Sequence, residues 1–138
     1  MFDSKANSYA LLALVEVAKG DGKTGIQAHQ IASRYELPTA YAAKVMSQLA
    51  KAGVLRSDRG PRGGFMLGRP AKDITLLAIF EALNGPLVDE EILPPNAPKA
   101  LRKNVDAVFS KVVAETRRQL ERTTLDELAS GSGRGRRR

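Results

Sequence analysis

Residues 38–67 read PTAYAAKVMSQLAKAGVLRSDRGPRGGFML, and this stretch decides the fold. Ala42, Val45, Met46 and Leu49 recur at the helical period and make one inward stripe. Tyr41, Lys44, Gln48 and Lys51 make a polar stripe facing outward. Pro38 suits the first turn of such a helix, because its missing N–H would lack a partner there anyway. Gly53 stands just past the end, where a helix favours glycine. Two short runs follow, residues 54–58 and 65–68, on either side of Arg59-Gly60-Pro61-Arg62-Gly63-Gly64. Strand-like runs around a Gly/Pro-rich turn predict a β-hairpin, here with a basic tip.

Upstream, a short helix is predicted over residues 28–35, with Ile31 and Ala32 inward and Gln27 at its start. Glu36 and Leu37 join it tightly to the helix at 38–52. A first helix is predicted over residues 5–19, ended by Gly20, with Leu11, Leu14, Val15 and Ala18 as its inward stripe. Tyr9, Leu12 and Ala13 are apolar on another face, which predicts burial on several sides. Downstream, Thr75 is placed to cap a helix over residues 76–83, stopped by Asn84-Gly85-Pro86. A proline-rich loop follows. A long helix over 98–122 then carries the apolar seam Leu101, Val105, Val108, Val112 and Leu120, with Phe109 and Val113 beside it. Thr124-Leu125-Asp126-Glu127 matches a capping box and predicts a last short helix.

Three helices and then a basic hairpin is the plan of a winged helix-turn-helix, so the expected fold is mainly α with a two-stranded β wing. The expected division is a winged domain over 1–85, a loop over 86–97, a dimerisation helix and short terminal helix over 98–130, and a disordered basic tail over 131–138. In this plan the second helix of the motif enters the major groove of double-stranded DNA and the wing lies alongside. Lys44 suits a phosphate or a guanine edge, and Tyr41 and Gln48 offer hydrogen bonds. Thr39 suits a phosphate beside free backbone N–H groups. Arg59 and Arg62 suit the negative potential of a narrow minor groove. Gln27, Arg56 and Gly63 complete the expected DNA-facing set. The competing reading of Tyr41 is a ring that simply covers a core edge, and that of Lys44, Gln48 and Lys51 an ordinary solvated face.

Composition agrees with an anionic partner. The net charge is +7 over 138 residues. Four arginines at positions 134 and 136–138 leave +3 for the rest. Within residues 44–72, Lys44, Lys51, Arg56, Arg59, Arg62, Arg69 and Lys72 face a single acid, Asp58. The longest apolar run, Tyr9 to Val15, is far short of the roughly 18 residues a membrane span needs, so no membrane partner is expected. The start, Met-Phe-Asp-Ser-Lys, lacks the pattern of a secretion signal, and a cytoplasmic place is expected. There is no cysteine and only one histidine, His29, so thiolate sites and an unaided zinc site are excluded. No GxxxxGKS/T loop, HExxH pair or nucleophile–histidine pair is present, and no enzyme is expected.

The chain resembles the Rrf2 family of bacterial transcription regulators. The resemblance rests on Ile31-Ala32, Tyr41, the run Leu49 to Pro70, Ile74-Thr75-Leu76 and Glu81 to Pro86. It implies a homodimer held by the long helix, with two wings on a palindromic site. It also implies Arg59 in the minor groove and Tyr41 on the recognition helix. Two departures stand out. Many members begin the recognition helix Ser-x-Ser-Tyr-Leu-Glu, where this chain reads Pro38-Thr39-Ala40-Tyr41-Ala42-Ala43-Lys44. Iron–sulfur members carry three cysteines in the loop before the long helix, where residues 88–98 have none. The expectation is therefore a repressor with no cofactor. A small-molecule effector in the crevice beside the long helix remains open. So does a winged-helix interaction module or a protein that coats DNA without sequence choice.

Overall fold

Ser4 opens the first helix by accepting the Asn7 amide on its hydroxyl at 3.2 Å. The computed structural model describes residues 4–20, 24–59 and 63–131. Arg62 and the arginines at 134–138 therefore lie outside the described residues.

Helix α1 (Lys5–Ala18) buries Asn7, Ala10, Ala13, Leu14 and Val17. The expected stripe is thus corrected: only Leu14 of it is buried, while Leu11, Val15 and Ala18 are half-buried. The reason is tertiary. α1 is central, packed by α2, α3, α4, α6 and β2, and its alanines let those neighbours approach closely. The larger side chains fill the flanks.

Helix α2 (Ala28–Tyr35) buries Ile31 and Ala32, as expected. Its start is held by the Gln27 amide donating to the Gln30 side chain at 2.7 Å. Its end is tied to α1, where Glu16 accepts from the Tyr35 hydroxyl at 2.6 Å and from Arg34 at 3.3 Å. The carboxylate raises the Tyr35 pKa above its ordinary value, chiefly by taking that hydrogen bond. Glu36 then turns the chain with φ +55°, the only left-handed non-glycine residue among the described ones.

Helix α3 (Thr39–Lys51) begins one residue later than expected, with Pro38 as the extended residue before it. Ala42, Val45, Met46 and Leu49 are all buried. Gly53 adopts φ +82°, which a side chain would disfavour. Strands β1 (Leu55–Asp58) and β2 (Gly64–Leu67) pair antiparallel, Leu55 opposite Leu67 and Asp58 opposite Gly64.

A short 3-10 turn (Ala71–Asp73) leads into α4 (Leu76–Asn84), capped by Thr75, whose hydroxyl accepts from the Ala78 amide at 3.0 Å. The buried Asn7 of α1 accepts from the Asn84 side chain at 3.0 Å, so α4 meets α1 through an amide pair. Residues 85–98 lead to α5 (Lys99–Glu121), which packs on α4. Both arms of the capping box at Thr124 and Glu127 are present, at 3.0 and 3.3 Å, and open α6 (Leu125–Ser130). The expected division grouped α6 with the long helix. In the structure it returns to the body and packs on α1. The Leu76 amide donates to the Thr123 carbonyl and the Leu125 amide to that of Ile74, each at 2.8 Å.

The core joins Leu14, Met46, Leu49, Leu55, Ile74, Ile79 and Leu125, all but fully buried. Each such side chain contributes about 1.5–3 kcal/mol on leaving water. α5 shares none of this, since not one of its residues is buried.

Candidate nucleic-acid interface

With the inward stripe of α3 closed in the core, the opposite face of the helix is fixed. Its exposed residues include Thr39, Ala40, Lys44, Ser47 and Lys51. Ala40, Lys44, Ser47 and Lys51 follow the helical period, so the outermost line passes through Ser47, which sequence reasoning left out. Tyr41 and Gln48 are half-buried at its border. The Tyr41 ring meets Tyr9 of α1 edge to face, with centroids 5.0 Å apart and planes at 74°. Tyr41 therefore forms part of the core edge and shows only its remainder to solvent. The signal for Ser47 was present in the sequence: the buried positions 42, 45, 46 and 49 place 47 opposite them.

The wing separates its cations. Arg56 grips Asp58 through two hydrogen bonds, Nε to Oδ1 at 3.2 Å and Nη2 to Oδ2 at 3.1 Å. It also donates to the Met66 sulfur, its cross-strand neighbour, at 3.1 Å. That hydrogen bonding holds the Asp58 carboxyl below its ordinary range and the Arg56 guanidinium above its own. Arg56 is thus paired within the protein. Arg59, just past β1, is exposed and makes no ion pair among the described residues.

Gln27 and Gly63, both expected to face DNA, are bonded to each other. The Gln27 side-chain amide donates to the Gly63 carbonyl at 2.8 Å, and Gly63 is buried. Beside them Ile26 and Phe65 exchange two backbone hydrogen bonds, at 3.0 and 2.9 Å. The stem of the hairpin is therefore fastened to the start of α2.

Along α5 two faces are distinct. Leu101, Val108 and Val112 are 46%, 58% and 52% exposed, with half-buried Val105 on the same line. Leu120 belongs elsewhere, a correction to the expected seam. It lines a crevice with Leu77 and Phe80 of α4. On that inner side Arg117 donates to Glu81 and to the Leu87 carbonyl, each at 3.0 Å. The crevice measures about 80 Å³. Sites for small organic ligands commonly measure roughly 300–1,000 Å³, and the more open hollow between α5 and residues 86–89, lined by Leu87, Val113 and Arg117, measures about 560 Å³.

The comparisons with known proteins agree with this architecture. The family model described as Rrf2, iron-dependent transcriptional regulator, matches residues 3–131. The HTH-type transcriptional regulator CymR of Bacillus subtilis is 32% identical over 127 residues, covering 92% of this chain and 88% of that protein. The putative HTH-type transcriptional regulator Rv1287 of Mycobacterium tuberculosis is 28% identical, covering 90% and 78%. The solved structure of CymR, the global cysteine regulator of B. subtilis, superposes with a TM-score of 0.77 at 30% identity, covering 94% of this chain and 96% of that one.

Iron clusters need thiolate or imidazole donors. This chain has no cysteine, and its one histidine is exposed on α2. Among the described residues no three histidine or carboxylate groups come together as metal ligands. In the 85–98 loop, Asp89 accepts from Ser110 and Glu91 pairs with Arg102. The residues present do not fit an iron–sulfur cluster.

Proposed function

This chain is a DNA-binding transcription regulator of the Rrf2 family, and from that premise we propose that it acts as a homodimeric, sequence-specific repressor that needs no iron–sulfur cluster. Each protomer would set α3 in the major groove of one half of a palindromic site, with Thr39, Lys44, Ser47 and the free parts of Tyr41 and Gln48 toward the bases and phosphates. Arg59 would enter the adjoining minor groove. The pair of α5 helices would hold the two protomers together through Leu101, Val105, Val108 and Val112. Occlusion of a promoter in the cytoplasm then gives repression without catalysis.

The observation that supports this best is the contrast on two helices. α3 leaves a polar face free while closing its apolar one, and α5 leaves an apolar line uncovered. The first suits a duplex and the second suits another copy of the same surface.

Selection of bound fragments from a random DNA pool tests the whole. The expected product is an inverted repeat, bound about 10³-fold or more better than random DNA. Equal competition by random DNA would instead favour a nonspecific coat. On the selected site Arg59→Ala should weaken binding about tenfold, and an unchanged affinity would remove the wing from the interface.

A further inference from the structure

Gln27 occupies the N-cap of α2, a position that favours Ser, Thr, Asp or Asn. Its backbone amide is already satisfied by Gln30, at 2.7 Å. Its side chain closes the same capping box, and the side-chain Nε2 reaches 36 residues along the chain to donate to the Gly63 carbonyl, at 2.8 Å. Register makes that contact informative. Asp58 stands opposite Gly64, so the next position on each strand is Arg59 on one arm and Gly63 on the other. Holding Gly63 therefore fixes one arm of the hairpin at the point where the pairing ends, next to the pair that precedes Arg59.

The surrounding backbone is built for this approach. A Cβ on Gly25 would lie 2.7 Å from the Gly63 carbonyl oxygen, closer than real contacts allow. Gly64 adopts φ +124°, and a Cβ there would lie 3.0 Å from the Ile26 carbonyl and 3.1 Å from the Gln27 amide nitrogen. Two glycines thus let the hairpin stem lie directly on residues 25–27, and the Ile26–Phe65 pair aligns it.

We propose that Gln27 is a positioning residue for DNA binding: its amide fixes the stem of the wing at Gly63 and so sets the aim of Arg59, without touching DNA itself. This rests on the proposed entry of Arg59 into the minor groove.

A double-mutant cycle on the selected DNA site tests it. Gln27→Ser keeps a strong N-cap and removes the reach to Gly63, so thermal stability should hold or rise. Affinity should nevertheless fall by about fivefold, the scale of one hydrogen bond. In the Arg59→Ala background the same change should lower affinity by less than about twofold. Gln27→Met, of similar length and without a donor, should reproduce the loss and covers the case of a poorly folded serine variant. Losses that multiply in the double variant would show Gln27 contacting DNA on its own and overturn the proposal. Full affinity in Gln27→Met would overturn it too. If Arg59→Ala alone changes nothing, the wing assignment fails first and this role falls with it. If Arg59→Ala weakens binding but Gln27→Ser adds its loss independently, only the role given to Gln27 fails.

Discussion

Leu125 and Val112 lie on neighbouring helices, α6 and α5. The first is fully buried and the second is 52% exposed. The difference runs through the molecule. In the body, α1 to α4 with the hairpin and α6, apolar side chains meet within one chain and many polar groups find partners nearby. Gln27 has Gly63, Arg56 has Asp58, and Asn7 has Asn84. On α5 one face is held to α4 by Arg117 and Leu120, and the other is left with valines and a leucine in water. The lesson is that one part of the sequence closes its apolar side chains inside the chain, while α5 leaves a line of them exposed.

The largest expected effect tests the closed side. Leu125→Ala should remove about 2–5 kcal/mol from the unfolding free energy, read by chemical denaturation. A loss under about 1 kcal/mol would mean that α6 is not part of the core. The open side should answer differently. Val108→Asp combined with Val112→Asp should leave the body folded by circular dichroism yet yield monomers in sedimentation. DNA affinity should then fall about 100-fold, because two half-sites would no longer be gripped together. A variant that stays dimeric would move the interface off this line.

Within α5 the comparison sharpens. Leu120→Ala should cost about 1 kcal/mol, independent of protein concentration, because that side chain packs on its own α4. The smallest effect concerns Asp58. Asp58→Asn releases Arg56, and DNA affinity should rise a few-fold, with the salt slope steeper by about one. No change in slope would place Arg56 away from the phosphates.

Much of the body was legible because its signals are local. A cap and its amide lie within three residues, so Thr75 and the Thr124–Glu127 box could be read directly, as could the stripe of α3 and the glycine at 53. What failed to show were facts of assembly. The buried face of α1 depends on its neighbours α2, α3, α4, α6 and β2, which its largely apolar surface does not rank. Leu120 was joined to the seam by apolarity alone, although at about 100° per residue it sits well round the helix from Val112. The Gln27–Gly63 bond spans a separation that no local pattern encodes. The Arg56–Asp58 pair was readable in principle, because alternate residues of a strand share a face. The candidate interface was legible as a set of residue types. The structure adds the division between residues already engaged within the protein, such as Gln27 and Arg56, and residues left exposed, such as Lys44 and Arg59.

The amide pair of Asn7 and Asn84 carries one more consequence. Apolar contacts tolerate sliding, whereas a hydrogen bond between two side-chain amides accepts one axial placement. This pair therefore acts as an indexing pin between α1 and α4. α5 hangs from α4 through Arg117 and extends about 35 Å, so any slip at the pin is magnified along a lever. In the proposed dimer that lever sets how far apart the two recognition helices stand. The spacing of half-sites along the duplex would then be written, in part, by a single asparagine in the protein's interior.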